Sequence, residues 1–157
     1  MEQTLISNWN NRVEKSDEVY ILGDMFWYND EAPRILSELK GRKYLILGNH
    51  DRVNAEIAKH FIWCNKWLEV IKDEGQKVVL CHFPIAHWNG QMHTPQTIHL
   101  YGHIHQGLDA RPFEKYGKMW EKEMGMTFKA ANVGCMVDYM GYTPRTLEEI
   151  KKAKGWN

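Results

Sequence analysis

The sequence lacks net charge: 20 Lys and Arg balance 20 Asp and Glu over 157 residues. That balance argues against the broad basic footprint of a protein that grips a nucleic-acid backbone. No apolar run approaches the roughly 20 residues that cross a bilayer, so no membrane partner is expected. The opening MEQTLISNWN has neither a basic start nor a long apolar segment, and no signal peptide is visible. Only three cysteines occur, with no Cys-x-x-Cys pair. An odd, scattered set points to reduced thiols and a cytoplasmic location. Internal repeats and low-complexity tracts are also missing.

What is there suffices for a core. Residues of hydrophobic type make up 43% of the chain, and its length is that of one domain spanning 1–157. Seven tryptophans are core material in the main, with some available to line a pocket. Leu5, Ile6, Trp9 and Val13 fall near helical spacing and predict a helix over 3–15. EVYIL (18–22) and RKYLIL (42–47) read as buried strands, each closed by a glycine. Between them DEAPRILSELKG reads as a helix, with Pro33 near its start and Gly41 just past its end. RVNAEIAKHF predicts a short helix. In WLEVIKDEGQKVVLCHFP two apolar runs flank Glu74-Gly75, the pattern of a hairpin. TIHLY (97–101) is a further buried strand. Phe113, Tyr116, Trp120 and Met124 share one helical face, and TFKAANVGCMVDY returns to strand character. Thr146 and Glu149 have the spacing of a capping box that starts a last helix. The mixture predicts an α/β fold, an α+β layered domain built on a mixed sheet.

Four of the apolar runs end in a group that can hold a metal: VYILGD, YLILGNHD, VVLCHF and LYGHIH. The candidates are Asp24, Asn49, His50, Asp51, His82, His103 and His105. Layered α/β folds bind ligands just beyond the carboxyl ends of strands, and a glycine before the ligand lets the backbone turn there. Each residue has an ordinary reading when taken singly. Asp24 suits a turn or a helix N-cap, GNHD is an acceptable polar turn, and His82 suits a hydrogen-bonded core histidine. His103 and His105 point to the same side of an extended chain; they could share one ion, hold one each, or line a loop. Four such ends together favour a common metal site of His, Asp and Asn ligands.

Gly23-Asp24, Gly48-Asn49-His50-Asp51, the strand-end His82 and Gly102-His103-Ile104-His105 resemble the calcineurin-like metallophosphoesterase superfamily in order and spacing. LISNWNNRV, HFPIAHWNG and NVGCMVDYMGYTPRTLEEI resemble its small bacterial and phage-type members. The resemblance implies two packed mixed β-sheets flanked by helices, with a two-metal site at one end. It assigns Asp24 as the bridging carboxylate, Asn49, His82 and His103 to one metal, and His105 to the other. It makes His50 the proton donor to the leaving oxygen, and Asp51 the residue that orients His50 and favours its charged form. The activity implied is hydrolysis of a phosphodiester or small phosphomonoester by a metal-activated water, with manganese, iron, zinc, nickel or cobalt as cofactor. No protein nucleophile is needed, so Cys81 is read as a small buried strand residue.

The family pattern also opens with an Asp-x-His before the residue matched by Asp24, and no histidine here precedes His50. Either the true start lies upstream or this is a shortened family member, and the given chain is expected to have one well-held metal and one weak position. Exposed sheet edges should lower stability or be covered by a homo-oligomer. The alternative function is a catalytically poor metal-binding scaffold or protein-interaction module of the same fold. Trp88 could stack on a substrate ring or pin its loop to the core. Arg52 could reach a substrate phosphate or serve as an ordinary surface cation. His99 is read as structural, and His60 and His87 as surface or loop residues.

Overall fold

In a computed structural model of the protein, residues 2–26, 30–105 and 107–156 are described. The chain runs α1 (Glu2–Arg12), β1 (Glu18–Ile21), α2 (Ala32–Glu38), β2 (Arg42–Ile46), α3 (Ala55–Ala58), β3 (Trp63–Lys66), β4 (Leu68–Asp73), β5 (Gln76–Cys81), β6 (Ile98–Tyr101), α4 (Arg111–Met124), β7 (Ala130–Asn132) and α5 (Leu147–Lys154). The strands form two sheets, one of three strands in the order β1-β2-β3 and one of four in the order β4-β5-β6-β7. The mixed α+β layering expected from the sequence is present. One detail differs: the three-stranded sheet is parallel throughout, and only the four-stranded sheet is mixed.

Buried apolar faces hold the layers together. Leu22 and Ile46 of the first sheet meet Val78, Leu80, Ile98 and Leu100 of the second, and Ile150 and Trp156 from the C-terminal segment join the same core. On the far face of the first sheet, Leu45 packs with Ala32 and Leu36 of α2 and with Ile57 and Phe61 around α3. Beyond the second sheet, α4 lays Phe113, Tyr116 and Trp120 on Phe128, with ring centroids 5.5–5.6 Å apart. This is the helical stripe read from the sequence, except that Met124, in the last turn, is exposed.

Local chemistry sets the ends of several elements. The β4–β5 hairpin closes through Glu74 and Gly75, both at positive φ (47° and 85°), the conformation a two-residue hairpin turn demands. Thr146 and Glu149 make the reciprocal capping box, and Gly155 ends α5 in the left-handed region. Strand β3 was not expected from WCNK, which has no alternation of its own. It extends through parallel pairing with β2 and through Trp63, whose ring lies against Tyr44 at 5.4 Å. The segment 127–139 keeps only the three residues of β7 as strand; past Asn132 the chain turns back in loops. Cys81 is buried on β5, as read, and Cys64, Cys81 and Cys135 are all free thiols. Among the described residues no helix is long and apolar enough to cross a membrane.

Candidate metal centre

Because β1 runs parallel to β2, and β5 parallel to β6, each pair sends its carboxyl ends the same way. Packing of the sheets then brings all four ends together. Two glycines make the approach close enough. A Cβ on Gly23 would lie 2.5 Å from Gly48 N and 2.7 Å from His82 Nδ1. A Cβ on Gly48 would collide with the Asp24 carboxylate and stand 2.5 Å from the Asp24 amide. Asp24 and His103 themselves sit at positive φ, 51° and 62°, an unfavourable region for residues with a Cβ and one that clusters at functional sites.

His82, with 1% of its surface exposed, is the hub. Its Nδ1 lies 2.6 Å from the Leu22 carbonyl, which only accepts, so Nδ1 carries the hydrogen. In the neutral ring Nε2 is then a bare lone pair. It faces Asn49 Oδ1 at 3.1 Å, His103 Nδ1 at 3.2 Å and Asp24 Oδ2 at 3.2 Å. Protonating Nε2 would supply one N–H, which cannot fully serve both the Asn49 and the Asp24 oxygen. A cation set among these four atoms satisfies all of them, and the mixed imidazole, carboxylate and amide set suits a divalent transition metal. The metal-binding atoms of Asp24, His82 and His103 lie within 4.8 Å of one another. The His82 arrangement, one ring nitrogen tied to a carbonyl and the other free, is the usual orientation of a metal-ligating imidazole. His103 is exposed, yet Phe83 and His82 crowd its ring. Desolvation first, then the neighbouring His82, lower its pKa, while Asp24 acts the other way. The neutral imidazole is the form that binds metal.

The remaining candidates fall in two groups. Asp51 binds the backbone: its carboxylate accepts from the amides of Asp24 (2.9 Å), Met25 (3.1 Å) and Gly48 (2.8 Å). It therefore clamps the two loops that carry Asp24 and Asn49, a task the sequence reading did not foresee. The His50 amide donates to Asp24 Oδ1 at 2.8 Å, and His50 is exposed beside the cluster. His105 does not join the close group; it is exposed, and its amide donates to Asp109 Oδ2 at 2.9 Å.

Other roles resolve clearly. Trp88 pins its loop: Nε1 donates to the Thr97 carbonyl at 2.8 Å, and the ring packs on His99 and Phe128, both at 5.3 Å. His99 is fully buried and structural, with Nδ1 on the Val79 carbonyl and Nε2 accepting from the Ile85 amide. His87 is on the surface, paired with the Tyr116 hydroxyl, and His60 is half-buried. Three supporting residues went unnoticed in the sequence. Asn132 donates to the Ile104 carbonyl at 2.6 Å and accepts from the Gly134 amide, steadying the loop that carries His103. It ends a strand and precedes a glycine-containing turn, so the strand-end pattern could have found it. Asp109 and Phe83 carried no comparable signal.

Comparisons with known proteins agree on the fold and are silent on chemistry. No family model matches the chain. The crystal structure of the protein of unknown function AQ665 from Aquifex aeolicus superposes with a TM-score of 0.67 at 21% identity, covering 97% of this chain and 84% of that one. The uncharacterized protein MJ1445 from Methanocaldococcus jannaschii is 30% identical over 156 residues, spanning 97% of this chain and 74% of the relative. At that identity and coverage, the chain belongs to the same protein family as MJ1445.

Proposed function

We propose that the protein is a divalent-metal-dependent phosphoesterase of the calcineurin-like superfamily, hydrolysing a phosphodiester or a small phosphomonoester. The observation that carries this reading is the convergence of Asn49 Oδ1, His103 Nδ1 and Asp24 Oδ2 on the bare Nε2 of His82, all within 3.2 Å. Those four residues would hold the metal, with manganese, iron, zinc, nickel and cobalt all compatible with the ligand set. The chemistry such an ion supplies when bound is activation of water near neutral pH and neutralisation of charge on phosphoryl oxygens. The chain's own residues do the rest. The Leu22 carbonyl fixes the His82 tautomer, Asp51 holds the Asp24 and Asn49 loops in register, and Asn132 steadies the loop of His103. His50, anchored to Asp24 through its amide, is the residue at the cluster's edge able to donate a proton to the departing oxygen. The reading puts the protein in a reducing cytoplasm, consistent with three free thiols.

A second reading, a metal-binding scaffold with little turnover, is favoured by one observation: His105 stands outside the close group. The test separates the two. Protein reconstituted with Mn2+ is analysed for bound metal and assayed on bis-p-nitrophenyl phosphate, beside His82→Ala. We expect about one tightly held ion per chain, metal-dependent hydrolysis, and loss of both in His82→Ala. Metal without hydrolysis would support the scaffold. No retained metal, or a His82→Ala protein that hydrolyses as well as the parent, would refute both.

A further inference from the structure

We infer that Phe83 is the wall that receives the leaving group, so that the site selects phosphate esters carrying a flat ring, such as a nucleobase or an aryl group. This rests on the phosphoesterase reading of the same cluster. Phe83 directly follows the ligand His82 at the end of β5. Its ring stands edge-to-face on both ligand imidazoles, 4.9 Å from His82 at 81° and 4.6 Å from His103 at 61°. A phenylalanine held by two buried or crowded rings is ordinarily covered, yet 37% of Phe83 remains exposed. The two rings it touches, His82 and His103, are both polar imidazoles. Phe83 is thus a partly exposed apolar ring set directly against two of the residues that would hold the metal.

The other aromatic considered for this role is already committed. The Trp88 indole N–H is bonded to Thr97, and its ring is packed on His99 and Phe128, so it has little left to offer a ligand. An aromatic platform rewards flat substituents regardless of their hydrogen-bonding pattern, since every base has a π-face. Selection by Phe83 would therefore be for ring-bearing over aliphatic esters and would not distinguish strongly among bases. Flanking histidines fix the ring without covering it, and such preorganisation spares the entropy of ordering a mobile side chain on binding.

The experiment compares two ligands that share a phosphate and a sugar. AMP and ribose 5-phosphate are titrated calorimetrically into the Mn2+-loaded protein, and into Phe83→Leu and Phe83→Tyr. The parent should prefer AMP. In Phe83→Leu, AMP binding should weaken roughly tenfold, as for loss of a base–aromatic stack, while ribose 5-phosphate is unchanged. Phe83→Tyr should restore the preference. Mn2+ affinity, measured on the same variants, separates a binding wall from a brace. If Phe83 only braces the histidines, Phe83→Leu weakens the metal and both ligands together, and the proposal fails. An unchanged AMP preference in Phe83→Leu also overturns it. A parent protein that binds no Mn2+ at all refutes the metal reading itself, a result distinct from either.

Discussion

Removing the Asp51 carboxylate tests whether this residue acts on the frame of the site or on its neighbour His50. In the folded protein Asp51 accepts from the backbone amides of Asp24, Met25 and Gly48, at 2.9, 3.1 and 2.8 Å, all partly buried. Asp51→Ala leaves three donors without their acceptor. A stranded donor costs about 1–3 kcal/mol, and the partial burial here admits some water, which favours the low end. The sum is about 3 kcal/mol. For a domain of this size that lowers the melting temperature by about 6–12 °C. Metal affinity should fall as well, because the loops bearing Asp24 and Asn49 lose their common tie. Asp51→Asn refines the test. Its carbonyl can take over the two donors that share Oδ2, Asp24 N and Gly48 N, while its NH2 then faces the Met25 amide. We expect about half the loss. The assays are thermal unfolding of the metal-free protein and Mn2+ titration. If both variants melt like the parent and bind Mn2+ equally well, and only the pH profile of hydrolysis moves, then Asp51 serves His50 and the clamp argument is wrong.

Two further predictions follow from close contacts and from burial. Gly48→Ala drives a methyl group into the Asp24 carboxylate and amide; the loop must shift, and Mn2+ affinity measured by calorimetry should drop at least tenfold, whereas an alanine at Gly125, where a Cβ meets nothing within 4 Å, should leave affinity unchanged despite its left-handed φ. His99 has its pKa lowered from 6.5 to about 4, chiefly by burial. The unfolded chain takes up this proton below about 6.5 and the folded chain does not until about 4, so stability is full above the window and falls as pH drops through it. The loss is about 3 kcal/mol at most. Urea unfolding between pH 7 and 4 should show a shallower decline in His99→Gln than in the parent; equal slopes would show that His99 protonates as readily folded as unfolded.

The parts of the site legible in the sequence are those whose cause is local. Asp24, Asn49, His82 and His103 each follow a short apolar run that forms a strand, and three of them follow a glycine that allows a sharp exit. The hairpin at Glu74-Gly75 and the capping box at Thr146 were readable for the same reason: the backbone conformation needed there is encoded within four residues. What could not be read has its cause across the fold. Strand β3 exists because β2 offers it a ladder and Tyr44 offers Trp63 a ring. Trp88 was equally fit for substrate or core until Thr97, His99 and Phe128 appeared beside it. Asp51, read as a partner of its neighbour His50, also accepts from the amides of residues 24, 25 and 48, a task set by the fold.

The same distinction explains why His103 and His105, one residue apart, have different fates. An extended chain would set both rings on one side. The backbone does not stay extended: Gly102 hydrogen-bonds to the His82 carbonyl, His103 turns to φ 62°, and the Ile104 amide closes back on the Gly102 carbonyl at 2.7 Å. That turn delivers the His103 ring to His82 Nε2 and leaves His105 to be held through its own amide by Asp109. The pair is therefore two residues with separate supports. A ligand's position is set less by its spacing in sequence than by which backbone groups of its turn are already engaged.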